Sequence, residues 1–259
     1  MSVKSQPLRI AIYLAGGTYP EIRNRYGDFE DWFAREITRH NAATVAVDVR
    51  KGQYPTLETV DGIIITGSPA SVCTDPDPWV EDLLEHLRGI LARNLPTLGV
   101  CFGHQALAAA IGASVVPNPR GREMGTVELT LTEAGRQHPL FAGLSTPFLA
   151  QETHEDIVSQ LPDDGAVSVL AHNRRAGFQA LAYSDRIFSV QFHPEITPGI
   201  MRAYLKIYGA KLIEQGELTR DRLQSLEASV QGTDTGKLVL GNFLEIVREK
   251  RNRPLPEES

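Results

Sequence analysis

The residue with the clearest chemical potential is Cys101, which stands between two glycines at a predicted turn from strand to helix. Residues 96–100 form a short apolar run typical of a buried strand, and residues 105–111 favour a helix of small apolar side chains. Gly99 and Gly103 lie two residues before and after the cysteine, where they relieve crowding around a strained backbone. A helix N-terminus also stabilises nearby negative charge and so favours the thiolate. The pattern predicts a nucleophile.

A histidine and a carboxylate follow a second apolar strand, and this pair favours catalysis over a buried core cysteine. The strand is predicted at residues 186–190, and His193, Pro194 and Glu195 come shortly after it. Alternate side chains of an extended chain share a face, so His193 and Glu195 point the same way. Pro194 fixes its own φ and directs His193 to the β region. A base oriented by a carboxylate is what activates a thiol.

The order of these residues along the chain, and the motifs that the sequence lacks, argue against an esterase, a metal enzyme and a nucleotide-binding protein. In α/β-hydrolase esterases the acid precedes the histidine, whereas here Glu195 follows His193 by two residues. The sequence has no H-x-x-x-H pair, Cys/His cluster or carboxylate-rich ligand loop, so no metal site is expected. Gly16 and Gly17 lack the rest of a phosphate-binding loop. We therefore expect no ATP and no other cofactor.

The two motifs together resemble those of the class I glutamine amidotransferases, which carry a G-x-C-x-G-x-Q elbow and a downstream H-P-E. Residues 99–105 and 193–195 complete both motifs, in the family's order. Residues 63–69 look like the family's strand and oxyanion loop, and residues 121–125 look like a further landmark. The resemblance covers about residues 10–208. It is greatest to free-standing members such as γ-glutamyl peptidases and stand-alone amidotransferase-like proteins.

The resemblance implies hydrolysis of a γ-glutamyl amide bond through a thioester on Cys101, with release of ammonia or an amine. His193 would act as acid and base, and Glu195 would hold its tautomer and stabilise its cationic form. The tetrahedral oxyanion needs preorganised donors. The backbone N–H groups of Phe102, directly after the nucleophile, and of Gly67 are expected to supply them.

Three further residues are candidates for binding the substrate. Gln105 lies one helical turn after Cys101 on the same helix face, and the resemblance implies that it helps to hold the glutamyl group. His154 and Asp156 resemble the S-H-x-D segment that borders the pocket in relatives of the GMP synthetase type. A polar loop satisfied within itself is the alternative for that pair. Stand-alone relatives often carry an aromatic residue at the position of Cys73. A redox role is the alternative for this thiol, but an inert thiol is favoured because no activating neighbour is visible in the sequence.

Free glutamine is not the only substrate that the motifs allow. A γ-glutamyl peptidase acting on glutathione-type conjugates would use the same chemistry with a different leaving amine. The chain could also be an ammonia-supplying partner of an unidentified synthetase, or a pseudoenzyme. The intact residues Cys101, His193 and Glu195 argue against a pseudoenzyme.

The rest of the sequence alternates predicted strands and helices. Strands at residues 8–14, 43–49 and 62–66 alternate with helices at residues 27–41 and 78–92. Short connections between them predict an α/β fold, with a doubly wound, mostly parallel sheet and helices on both faces. The resemblance implies a flavodoxin-like fold of the same kind. Ligands in such sheets bind beyond the carboxyl ends of the strands, where Cys101 and His193 fall.

The pattern changes after residue 125, where the predicted strands become shorter and form an antiparallel extension. A closing helix is predicted at residues 200–209, followed by charge-rich amphipathic helices at 211–230 and 237–251. This predicts a catalytic domain over residues 1–209 and a C-terminal helical extension over residues 210–259 that packs on the same domain. A partner-binding surface is the alternative use of its apolar stripes. The short strands are predicted at residues 126–131, 148–152, 167–171, 178–183 and 186–191.

Composition limits the class of protein. A chain of 259 residues with 42% hydrophobic side chains suits one α/β domain with additions. A net charge of −6, without a long basic run, argues against nucleic-acid binding. The polar start at residues 1–5, the two separated cysteines and the lack of a membrane-spanning run predict a cytoplasmic protein without membrane contact.

Overall fold

The computed structural model describes residues 6–216 and 218–252, and a mixed β-sheet forms its centre. Residues 1–5, on which the prediction of a polar start rests, lie outside the described part. The strands that the described residues form are β1 (Leu8–Leu14), β2 (Ala42–Asp48), β3 (Gly62–Ile65), β4 (Thr97–Val100), β5 (Ser114–Pro117), β6 (Glu123–Leu131), β7 (Phe148–His154), β8 (Asp156–Gln160), β9 (Ser168–His172), β10 (Ala180–Ala182) and β11 (Ile187–Val190).

Nine of these strands form one sheet in the order β2-β1-β3-β4-β11-β10-β9-β6-β7. The first five run parallel, and the pairs from β11 through β10, β9 and β6 to β7 are antiparallel. Strands β3, β4 and β11 are buried along their whole length, as parallel strands covered on both faces must be. The predicted fold class, a mostly parallel sheet with an antiparallel extension, is confirmed.

Helices cover both faces of the sheet. Alternate residues of β1 divide between two buried clusters, with Ile10 and Ile12 in one and Ala11 and Tyr13 in the other. The α-helices of the described residues are α1 (Pro20–Tyr26), α2 (Phe29–Ile37), α3 (Pro78–Arg93), α4 (Phe102–Ala110), α5 (Glu133–Gln137), α6 (Pro198–Glu214), α7 (Arg220–Ser229) and α8 (Thr235–Arg251). The first cluster includes residues of α2 and α8, and the second includes residues of α3 and α4.

Several predicted boundaries differ from the structure for identifiable reasons. Helix α4 begins at Phe102 and not at residue 105, because burial on β3 outweighs the low helix propensity of Gly103. The seven-residue helix α1 and the separate pair of β5 with β8 were not predicted. Both are short, and pairing of β5 with β8 depends on contacts distant in sequence.

The C-terminal part was predicted with the wrong helix limits. The segment 211–230 is not one helix, because α6 runs to Glu214 and Gly216 adopts a φ of 75°, which ends it. The division predicted after residue 209 therefore falls inside α6. Helix α8 packs on the central sheet, and Phe243, Leu244 and Val247 join the same buried cluster as β1 and β4. Within the described residues, no helix is long and apolar enough to cross a membrane.

Candidate active site

Cys101 occupies a sharp turn between β4 and α4. Its backbone has a φ of 53° and a ψ of −102°, a conformation that residues other than glycine rarely adopt. A Cβ on Gly99 would lie 2.4 Å from the Gly103 carbonyl oxygen, and one on Gly103 would lie 2.6 Å from the Ile65 carbonyl oxygen. Larger residues at either glycine would push the helix away from the strands. The two glycines therefore allow the close packing that holds this strained turn.

His193 and Glu195 follow β11 and form a buried pair. The His193 Nδ1 atom lies 2.7 Å from Glu195 Oε1. The backbone N–H of His193 donates to the Gln151 carbonyl oxygen at 2.8 Å. The Phe29 ring stacks on the imidazole with centroids 6.5 Å apart. Within the described residues, His193 Nε2 has no hydrogen-bond partner, so this nitrogen remains available on the side opposite the carboxylate.

The charges around His193 favour its cationic form. Burial by itself lowers the pKa of the imidazole. Electrostatic interaction with the Glu195 carboxylate, and after it with Cys101, outweighs that effect and raises the pKa of His193 well above its usual 6.5. A cationic imidazole beside a thiolate is the charge state in which a cysteine is nucleophilic.

Gly67 lies between the cysteine and the histidine. A Cβ built on it would lie 2.9 Å from His193 Cε1 and 3.6 Å from Cys101 Cβ, so these three residues converge on one point. Phe102 is the first residue of α4, and the first N–H groups of a helix have no partner within it. The two expected oxyanion donors thus flank the cysteine.

The structure brings the three predicted substrate residues to the same cavity but gives them different surroundings. Gln105 donates to the Asp156 carbonyl oxygen at 2.8 Å and to Gln191 Oε1 at 3.2 Å. The Asp156 carboxylate is partly exposed and accepts from Ser71 Oγ at 2.5 Å. His154 belongs to β7 and not to a loop, and its side chain is fully buried.

His104 and Cys73 form contacts outside the group of candidate catalytic residues. His104 is fully buried, its Nδ1 lies 2.7 Å from Ser189 Oγ, and burial lowers its pKa to about 3. It therefore remains neutral. Cys73 and Cys101 are both free thiols, and Cys73 Sγ lies 3.3 Å from Ser71 Oγ in its own loop.

A cavity of about 700 Å³ opens at the cysteine, and much of its wall was not anticipated from the sequence. Tyr208 packs edge-on against Tyr19 with ring centroids 5.2 Å apart, and the Arg122 guanidinium lies 4.8 Å from the centre of the Tyr208 ring. Tyr204 shares a hydrogen bond of 2.7 Å with Thr18. The spacing of Tyr204 and Tyr208 by four residues was the available signal, because it places both on one face of α6.

Two buried carboxylates near the cysteine were also missed. Glu123 and Glu152 lie on β6 and β7, next to His154. Glu152 is fully buried, and burial together with the nearby charge of Glu123 raises its pKa well above the usual 4.5. Only the pairing of the two strands brings these residues together, so no local sequence pattern marked them.

Known proteins are similar to this chain in sequence and in fold. Residues 24–207 match the family described as glutamine amidotransferase class-I. A glutamine amidotransferase-like protein of Schizosaccharomyces pombe is 29% identical over 213 residues, which cover 76% of this chain and 83% of that protein. Gamma-glutamyl peptidase 3 of Arabidopsis thaliana is 26% identical over 222 residues, which cover 83% and 88% of the two chains.

A solved structure supports the same assignment at the level of the fold. The glutamine amidotransferase of Thermotoga maritima superposes with a TM-score of 0.70 at 22% identity, over 94% of this chain and 99% of that chain. The chain belongs to the glutamine amidotransferase class-I family, as the resemblance of its motifs indicated. It is an enzyme of that class.

Proposed function

We propose that the protein hydrolyses γ-glutamyl amide bonds with Cys101 as the nucleophile. The observation that carries this proposal is the convergence of a strained cysteine turn and a buried His193–Glu195 pair on one open cavity. A thiolate paired with a cationic imidazole attacks amide carbons without a metal or cofactor.

In the first half of the reaction, Cys101 Sγ bonds to the amide carbon and the C=O electron pair moves to oxygen. The Gly67 and Phe102 N–H groups donate to that oxyanion. As the carbon–nitrogen bond breaks, His193 gives its proton to the departing nitrogen, which leaves as ammonia or an amine. In the second half, His193 takes a proton from water, the hydroxide attacks the thioester, and glutamate and the thiolate are released.

The substrate residues divide by exposure. Asp156 offers a carboxylate to the cavity, which suits the α-ammonium group of a glutamyl substrate, and Ser71 holds it in place. Gln105 supports the same wall through the Asp156 carbonyl oxygen. The buried His154 acts on substrate indirectly, because its Nδ1 lies 3.2 Å from the Asp156 carbonyl oxygen and so helps to position Asp156.

A γ-glutamyl peptide or conjugate is a second candidate substrate, and the cavity favours it. A volume of about 700 Å³ falls within the roughly 300–1,000 Å³ of sites for drug-sized ligands. Three tyrosines and the Arg122 guanidinium line the part of the wall that a leaving amine could reach. Aromatic rings and a cation suit a leaving group that has an apolar portion and a carboxylate.

The test is to incubate the pure protein with glutamine, with γ-glutamyl dipeptides and with a glutathione conjugate, and to quantify glutamate and the released amine. Release from any of the three, lost in Cys101→Ala, supports the proposal. Rapid peptide cleavage with negligible ammonia would identify a peptidase. Ammonia that forms only after a cell fraction is added would indicate an unidentified synthetase as partner. No release under any of these conditions would overturn the proposal.

A further inference from the structure

A cluster of three potential metal ligands lies buried behind the cysteine, on two paired strands. Glu152 and His154 are two residues apart on β7, so their side chains share a face. Glu123 is the cross-strand partner of His154 in the antiparallel register of β6 and β7. One ligand atom from each residue lies within 4.8 Å of the other two.

Both distances from His154 to the two carboxylates fit the edges of a metal coordination sphere. His154 Nε2 lies 3.1 Å from Glu123 Oε2 and 3.3 Å from Glu152 Oε2. Ligands about 2.0–2.1 Å from a tetrahedral Zn²⁺ lie roughly 3.3 Å from one another. A single imidazole N–H can donate to only one of the two carboxylates, whereas a cation at this point would contact both.

Hydrogen bonds with neighbouring groups orient His154 and Glu123, as is usual for the ligands of a metal ion. His154 Nδ1 lies 3.2 Å from the Asp156 carbonyl oxygen, so with a cation bound Nδ1–H would donate to that oxygen and Nε2 would be the unprotonated ligand nitrogen. Asn173 donates to the second carboxylate oxygen of Glu123 at 2.9 Å. Gln179 donates to Glu123 Oε2 at 3.2 Å, and that oxygen retains a second lone pair.

Glu152 is the member of the cluster that its protein surroundings leave unsatisfied. Its side chain is 0% exposed, and within the described residues neither of its oxygens accepts a hydrogen bond. A buried carboxylate without a donor is costly unless it is neutralised by a proton or by a cation. Its Oε2 faces the same His154 nitrogen that contacts Glu123, so all three groups point to one place.

We propose that Glu123, Glu152 and His154 bind a divalent transition-metal cation such as Zn²⁺. One imidazole and two carboxylates are a ligand set that suits Zn²⁺. The three ligands come from two strands, which is why no spacing in the sequence revealed them. The cation would clamp β6 to β7 next to Thr153, whose carbonyl oxygen lies 4.0 Å from Cys101 Sγ. Its role is structural, because the proposed hydrolysis requires no metal.

The experiment measures metal binding to the full chain without substrate. Metal-free protein is titrated with Co²⁺, whose visible absorption reports its ligands, and then with Zn²⁺ in competition. We expect one Co²⁺ per chain and displacement by Zn²⁺. Glu152→Gln and Glu123→Gln should each weaken binding by at least about 100-fold, since even loss of a residue outside the ligand sphere costs 10–100-fold. Zn²⁺ should also raise the melting temperature of the wild type.

Two variants separate this site from other cation binding. Cys101→Ala removes a second pair that could chelate a metal, the Cys101 thiolate with His193, and should retain the full stoichiometry. Glu155→Gln alters a neighbouring exposed carboxylate, paired with Arg122, and should also bind normally. Loss of Co²⁺ in Cys101→Ala would overturn the proposal, as would unchanged affinity in Glu152→Gln. Folded wild-type protein that binds no metal would overturn it too, and would leave a proton as the charge that neutralises Glu152.

Discussion

His193 Nδ1 lies 2.7 Å from Glu195 Oε1, although only one residue separates the two in the chain. The backbone through Pro194 directs both side chains to one side, and burial keeps water from competing for the carboxylate. The base and its orienting acid are therefore assembled locally, while the nucleophile comes from a strand end far away in sequence. Changes at either partner should affect the chemistry more than the fold.

Replacing Cys101 with alanine should abolish glutamate release, because a thioester needs a thiol and the other cysteine of the sequence, Cys73, contacts Ser71 in its own loop. The fold should persist, since a single sulfur is lost. Enzyme assays, together with far-UV circular dichroism, check both expectations. Cys73→Ala is the matched control and should keep its activity. Equal turnover by Cys101→Ala would contradict the assignment of the nucleophile.

Glu195→Gln should lower kcat by roughly 10²–10⁴-fold and change KM little, because an amide cannot stabilise the imidazolium that the reaction needs. Steady-state kinetics on the best substrate of the panel measure this. Glu249→Gln, on an exposed position of α8, serves as the control. A Glu195→Gln enzyme within a few-fold of wild type would show that the carboxylate is dispensable.

The stability of the protein should fall at alkaline pH as His193 loses its proton. The raised pKa of His193 means that its contribution is fully present below the unfolded value of 6.5 and is lost as pH rises through the higher folded value. Chemical denaturation from pH 6 to pH 10 measures the free energy of unfolding. Glu195→Gln should show less of this decline, because removing its charge lowers the pKa of His193. An identical decline in both proteins would assign the effect to other groups.

Gly67→Ala should reduce kcat/KM by at least about 10²-fold, comparable to the loss of an oxyanion donor. The added methyl group would lie 2.9 Å from His193 Cε1, so the imidazole must move away from the cysteine. Activity and melting temperature are measured on the same preparation. Gly89→Ala on α3 has open space around it and should be active, with a stability gain of about 0.5–1 kcal/mol. Wild-type activity in Gly67→Ala would remove Gly67 from the site.

Phe243→Ala should lower the free energy of unfolding by about 3–5 kcal/mol, because this ring is fully buried between α8 and the sheet. Urea denaturation monitored by tryptophan fluorescence measures the change. Glu249→Ala on the exposed side of the same helix should stay within about 0.5 kcal/mol of wild type. A small effect of Phe243→Ala would mean that α8 contributes little to the core.

The parts of the fold that the sequence determined are those governed by local pattern. The continuous apolar run of β3 and the periodic spacing in α3 predicted their elements to within a residue or two. Helix α1 and the strands β5 and β8 were not predicted from the sequence, because they are short and long-range packing decides their structure. The same reason explains α4, whose first turn contains Gly103 and is stabilised by burial.

The candidate site divides in the same way. The sequence alone predicted the turn that carries Cys101 and the shared orientation of His193 and Glu195, because backbone constraints from neighbouring glycines and a proline act over a few residues. Only the tertiary structure decided that Glu123 meets Glu152 and His154, and that Tyr19 meets Tyr208 at the cavity wall. Those contacts depend on strand register and helix packing. Both bring together residues distant in the chain, so no local pattern in the sequence predicts them.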